Sequence, residues 1–317
     1  MQMGKKIREK AIQFLLSVIL VSLVLYSVFF FLKGDSSSVI LGEDASATAM
    51  YDYTRNNTDS GFFSSYLISM MRFFTLNWGE TVSGESIKDV VRTSLPVSLS
   101  LAFNALLLSF PFSLWLSMRA AGRHGFSSLL SSFLSALFLL LPSFLSSIIL
   151  ILIFSSGLHL FPVAGYTGPD GGFFTHLKSI MLPSLALSFV NTSFMLRLFR
   201  EALDENMKKQ FVTYARSKGV REKEIVVRAA LKPSLPVIIS ATASGIVSFF
   251  ASSTVVETVF ALPGMGRALV RSAYSRDSSL SFVLVMIDVL IICAVLSVSQ
   301  IMIVLTDRRG ERENGKA

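Results

Sequence analysis

Residues 211–233 read FVTYARSKGVREKEIVVRAALKP, with six basic side chains against two acidic ones. The segment stands between apolar runs at approximately 179–198 and 235–257. Each run is close to the roughly 20 residues an α-helix needs to cross a hydrocarbon core about 30 Å thick, at about 1.5 Å per residue. A charged, helix-prone stretch between two such runs belongs outside the bilayer. Working outward, further apolar runs at approximately 11–32, 95–118, 128–155 and 281–305 bring the count to six. With 52% apolar and 16% charged residues, the chain has too little polar surface to cover a soluble globule of 317 residues. The expected fold is an all-α integral membrane protein with six transmembrane helices.

Six spans put both termini on one side, and the basic residues choose it. Segments 1–10, 119–127, 197–232 and 306–317 carry 20 of the 29 Lys and Arg residues and only 9 acidic ones, which marks that side as cytoplasmic. The net charge of +8 is therefore an asymmetry across a membrane, and no basic stripe suited to nucleic acid forms. The first run follows a positive start like a signal peptide's, but its apolar core is long and no A-x-A site follows, so it reads as a retained span. The single Cys293 permits no disulfide within the chain, and His124, His159 and His176 lie in different loops without partners at ligand spacing. No metal site is expected.

Between the first two spans, residues 33–94 are polar and lie outside by topology. Their FFSSYLISMMRFF core, 62–74, suits either a helix along the membrane face or a small packed lid. Asn56-Asn57-Thr58 fits a glycosylation sequon, a pattern too short to carry weight. Pro96, Pro111, Pro142, Pro183 and Pro236 fall within or at the ends of spans, where neighbouring helices or a wet cavity must compensate the missing backbone bonds. Ser240, Ser244, Ser248 and Ser252, with Ala241 and Gly245 beside them, form a small-residue ridge that admits a close helix or a polar solute. Asp288, about eight residues into the last span, is the deepest carboxylate and a candidate pathway residue, with Ser244, Ser248 and Asn191 as weaker ones.

The 200–233 segment is expected to form helix, break, helix: good helix formers continue the fourth span, Gly219 interrupts, and the spacing resumes until Pro233. Val220, Ile225, Val226 and Ala229 give the second piece an apolar side suited to a groove in a soluble partner, or to the chain's own bundle.

TYARSKGV followed by a basic helix resembles the cytoplasmic loop of binding-protein-dependent ABC importer permeases. TVVETVFALPGMGRALVRSAYSRD, residues 254–277, resembles their dipeptide/oligopeptide/nickel branch, whose recurring residues fall here on Glu257, Phe260, Pro263, Gly264, Gly266 and Asp277. LFPVAGYTGPDGG, HLKSIMLPSLALSF, RLFREAL and NWGETVSGESIKDVVRTSLPVSLSLAF follow the branch's order, so the likeness covers nearly the whole chain, strongly from about residue 72 onward. The chain departs from the pattern at Ala229, Pro233 and Pro236 after the loop glycine, at Gln300, and at Asp307-Arg308-Arg309.

The resemblance implies a type I importer permease fold, divided into an N-terminal tail and first span (1–32), an extracytoplasmic segment (33–94) and a permease core (95–317). The core would hold a cytoplasmic coupling loop at 200–233 and an extracytoplasmic loop at 258–280, the latter a re-entrant turn or short helix beginning at the Pro-Gly break. The implied partners are a second homologous permease, two ABC ATPase subunits, an extracytoplasmic solute-binding protein and membrane lipids. Ala215, Gly219, Val220, Glu222, Ile225 and Val226 are the implied ATPase-coupling residues. Peptides are the implied cargo, with nickel chelates and oligosaccharides as alternatives.

No cofactor is expected in this chain, since ATP and Mg would bind the partner subunits. The C-terminal GERENGKA satisfies G-x-x-x-x-G-K, but Ala317 stands where the Mg-binding hydroxyl belongs. A secondary transporter would carry more intramembrane carboxylates and internal repeats, and a membrane enzyme a clustered set of reactive groups. A non-transporting scaffold or receptor is separated from a transporter by whether an ATPase subunit co-purifies.

Overall fold

The computed structural model describes residues 2–31, 62–122 and 125–314; residues 33–61, including the Asn56 sequon, and 315–317 of the GERENGKA tail lie outside the described residues. Among the described residues every regular element is helical, with one isolated bridge, Glu80 to Ser86. The helices are α1 (Gln2–Phe31), α2 (Phe62–Phe74), α3 (Ile87–Ala120), α4 (Phe126–Leu140), α5 (Ser143–Leu150), α6 (Phe173–Met207), α7 (Gln210–Ser217), α8 (Glu222–Ile225), α9 (Lys232–Val259), α10 (Met265–Tyr274) and α11 (Ser278–Asn314). π-helical turns follow α5 at Ile151–Gly157 and join α8 to α9 at Val226–Leu231.

Among the described residues, four helices have the length and composition to cross a membrane: α3, α6, the α8–α9 run Glu222–Val259 and α11 within Ser278–Thr306. A shorter apolar stretch, Ile12–Val28, lies in α1. The run expected as the third span, 128–155, is two helices meeting at 99°, which together are long and apolar enough for one broken span. Pro142 explains the break. Its ring disfavours the helical region for the residue before it, and Leu141 is extended (φ −94°, ψ 100°). A serine-rich apolar run cannot hold a straight helix through that position.

The foot of α6 also departs from expectation. The helix stops at Met207, Lys208 and Lys209 turn, and α7 starts afresh at Gln210. In contrast, Pro233 does not end the second piece. It sits in the first turn of α9, directly after the π-helical turn. Widening the helix there accommodates a residue that lacks an N–H and crowds the carbonyl four positions back.

The chain forms two compact units. One comprises residues 99–262 with 1–11 and 294–317; the other comprises 12–98 and 263–293. In the first, α6 is the most buried span, and α4, α5 and α9 pack along it. A Cβ on Gly245 would lie 2.9 Å from Met195 Cε, so α9 approaches α6 as closely as a glycine allows. In the second unit, Phe73, Ile87, Val91, Met265 and Phe282 belong to one apolar cluster that joins α2, the start of α3, α10 and the start of α11.

Candidate functional site

Residues 210–228 form a compact two-helix excursion whose turn is set by one glycine. Gly219 has φ +74°, a conformation that strains any side chain with a Cβ, although a Cβ there would meet no atom within 4 Å. Its N–H donates to Arg216 O and that of Val220 to Ala215 O, the paired bonds that close a helix through a left-handed residue. The reversal places Glu222 beside Arg216, with Nε to Oε1 at 2.6 Å, and this hydrogen bond raises the Arg216 guanidinium above its ordinary range. Glu222 also lies in the first turn of α8, where a negative charge favours the helix dipole.

The excursion is nailed to its own bundle. Val212, Ile225, Val226 and Ala230 are buried with Ala121, Leu203 and Met207, so α7, α8, the π turn and the feet of α3 and α6 share one apolar cluster. Ile225 and Val226 keep only 2% and 4% of their surface. Of the two uses expected for this apolar side, a partner's groove or the chain's own bundle, these two side chains serve the bundle: a short helix needs its best apolar residues for anchorage, and they turn inward. Ala215 is half-buried against the same cluster, whereas Val220 and Glu222 remain exposed.

The outward face is different in kind. Phe211 is 46% and Tyr214 61% exposed, and Lys218 lies 4.6 Å over the Tyr214 ring. These residues share one face of α7 at spacings of three and four. Sequence reading passed over them because it sought apolar residues after Gly219; the signal before it was the offset between Val212/Ala215 and Phe211/Tyr214.

Two polar ties hold the feet of the helices around the excursion. Asp204 accepts the Gly122 N–H at 2.8 Å and pairs with Arg200 at 3.3 Å. Arg200 also donates to Ser128 O at 3.0 Å and to Ser132 Oγ, joining α6 to α4. Buried Asn206 donates to Ser234 Oγ at 2.8 Å, joining α6 to α9. Neither tie was anticipated from sequence, because each pairs residues many positions apart.

The residues at 257–277 divide between the two units. At the end of α9, Glu257 is fully buried and its carbonyl accepts the Leu262 N–H, while Ala261 takes φ +54°. Buried Phe260 accepts the Gly165 N–H on its carbonyl, which pins the loop after the first π turn to the end of this helix. In the other unit, Gly264 caps α10, so a short helix does begin at the Pro-Gly break, and Gly266 is buried in its first turn. The Met265 N–H donates to Ser98 Oγ.

Asp277, also buried, accepts the Leu280 N–H at 2.9 Å on one carboxylate oxygen and the Val82 N–H at 2.8 Å on the other. It therefore caps α11 and clasps the 81–85 loop at once. A cavity of about 600 Å³ in this unit is lined by Val82, Glu85, Ser94, Pro263, Arg267 and Asp277 among others.

The candidate pathway residues separate. Asn191 is buried beside Gly245, so it serves the packing of α6 on α9. Ala241 and Gly245 also face inward, while Ser248 is exposed and Ser244 partly so on the outer side of α9. Asp288 is half-buried midway along the apolar part of α11. Among the described residues no group of three or more metal-ligating side chains assembles.

Residues 109–311 match the family described as binding-protein-dependent transport system inner membrane component. The chain is 29% identical to a dipeptide transport system permease protein of Bacillus subtilis over 69% of its own length and 70% of that protein. It is 27% identical to the corresponding Lactococcus lactis protein over 79% and 81%, respectively. An oligopeptide transport system permease protein of Escherichia coli is 32% identical over 62% of each chain.

Proposed function

The chain belongs to the family of binding-protein-dependent transport system inner membrane components, and from that premise we propose that it is the permease subunit of an ATP-driven importer of di- and oligopeptides. It is a multi-pass membrane protein of the all-α class. In the proposed assembly it crosses the membrane six times with both termini in the cytoplasm. It pairs with a second permease around a pathway, rests on two ABC ATPase subunits and receives cargo from a solute-binding protein outside. The names of the similar permeases from three bacteria support the peptide assignment.

One observation supports the mechanical part: the 210–228 excursion is seated on the feet of α3 and α6 while presenting Phe211, Tyr214 and Val220 outward. A grip of this kind passes a push from a closing ATPase pair to several spans together, because its buried side chains share one apolar cluster with the feet of α3 and α6. Gly219 sets the turn, Glu222 locks it to Arg216, and the exposed aromatic face meets the partner.

The test is reconstitution of this chain with ATPase, second permease and binding-protein subunits from the same organism, followed by uptake of labelled dipeptides, longer peptides, nickel chelates and oligosaccharides. Peptide uptake dependent on ATP and on the binding protein is expected. Recovery of the chain without any ATP-hydrolysing companion, or uptake of only a non-peptide cargo, would overturn the corresponding part.

A further inference from the structure

Helix α2 has three distinct sides, and one of them is an exposed apolar stripe. At 100° per residue, Phe63, Leu67, Met71 and Phe74 fall on one stripe, and each is 55–70% exposed. On a second side, Phe62 and Tyr66 pack their rings on Tyr26 of α1, with centroids at 5.6 and 5.5 Å, and Phe73 is buried in the core of this unit. Ser65, Ser69 and Arg72 occupy the third. A helix on the surface of a soluble lid would turn its polar side outward and keep the four large apolar residues covered. Here all four are exposed.

Its placement says what covers them. Tyr66 bonds Ser22 of α1 at 2.8 Å, and Ser22 lies inside the apolar stretch Ile12–Val28. Leu15, Leu16, Ile19, Leu20 and Val24 of α1 are themselves exposed apolar residues of a protein that lives in a bilayer. Helix α2 is thus seated alongside the apolar stretch of α1, and both helices expose large apolar side chains in the same unit. With 13 residues it is about 20 Å long, short of the roughly 30 Å needed to cross.

We propose that α2 is a half-embedded membrane element whose Phe63–Leu67–Met71–Phe74 face contacts lipid acyl chains, tied by Tyr66 to α1. A second copy of the chain or another protein subunit on this face is the competing occupant. The proposal is independent of cargo and of ATPase coupling, because it rests only on membrane residence.

The assembled transporter, carrying Cys293→Ala and a single nitroxide at position 67 or 71, is reconstituted in phosphatidylcholine–phosphatidylglycerol vesicles. Collisions with molecular oxygen and with a water-soluble nickel chelate are compared with those of a nitroxide at exposed Glu80. Lipid contact is expected to give frequent oxygen collisions and a loss of chelate collisions at both positions. Chelate collisions at the Glu80 level, or loss of collisions with both reagents because protein covers the stripe, would overturn it. Since a label can perturb packing, Phe74→Trp supplies a second reading: brominated acyl chains should quench the added emission, and unquenched emission overturns the proposal.

Discussion

Three residues hold backbone conformations or bonds whose loss has a calculable effect. Ala261 takes φ +54° at the end of α9, a left-handed state that costs an L-residue about 1–2 kcal/mol. Ala261→Gly should therefore raise stability by roughly 1 kcal/mol, read as an upward shift in the thermal unfolding midpoint in detergent. Gly219 poses the opposite problem. With open space around it, only its φ of +74° resists substitution. Gly219→Asn should retain most uptake, whereas Gly219→Val should insert normally, hydrolyse ATP with its partners and import poorly. Equal uptake by both variants would remove the turn from the coupling mechanism. Asp277 serves two backbone N–H groups from buried positions, so Asp277→Ala should destabilise by about 2–4 kcal/mol, combining a lost cap with a second unsatisfied donor. Faster proteolysis within 80–86 would report the freed loop.

At the scale of the element, α7 and the π turn after α8 divide the work between anchorage and docking. The inward set is Val212, Ile225 and Val226; the outward set is Phe211, Tyr214 and Val220. Ile225→Ser should cost roughly 2–4 kcal/mol through the emptied volume and the buried hydroxyl, lowering the yield of folded protein. Phe211→Ser with Tyr214→Ser should leave thermal stability within about 0.5 kcal/mol, as surface changes do, but weaken retention of the ATPase on an affinity column. If the double variant held its ATPase as firmly as the parent, the docking face would have to be sought elsewhere. The bent α4–α5 pair belongs to the same scale: one proline turned an apolar run of spanning length into two helices at 99°.

For the whole molecule, the coupling reading requires Lys218 and the basic feet of the spans to share the cytoplasmic side. With Cys293 replaced, a cysteine at Lys218 should react with an impermeant maleimide only in inside-out vesicles, and one at Glu80 only in right-side-out ones. The opposite pattern at Lys218 would dismantle the proposed mechanism, whatever the family.

Much of this was legible in the chain alone. Apolar runs of spanning length announce membrane helices because hydrocarbon leaves the backbone no partner but itself. Gly219, the Pro-Gly break before α10 and the inside-positive bias are local chemistry and could be read locally. Two local signals were incomplete: Pro142 lies in a run of spanning length without showing how sharply the run bends, and Pro233, expected to end the second helical piece, is absorbed by a π turn. What no linear reading supplied was which of two interleaved apolar sets the bundle would claim. Ile225 and Val226 are buried because Leu203, Met207 and Ala121 arrive at the same place from distant parts of the chain. Asp277 likewise became a clasp only when Val82 was brought 2.8 Å from its carboxylate. Sequence determined which segments leave water, since that depends on composition over a helix length; only the tertiary structure decided which side chains remain to meet a partner, since that depends on what the folded chain covers first.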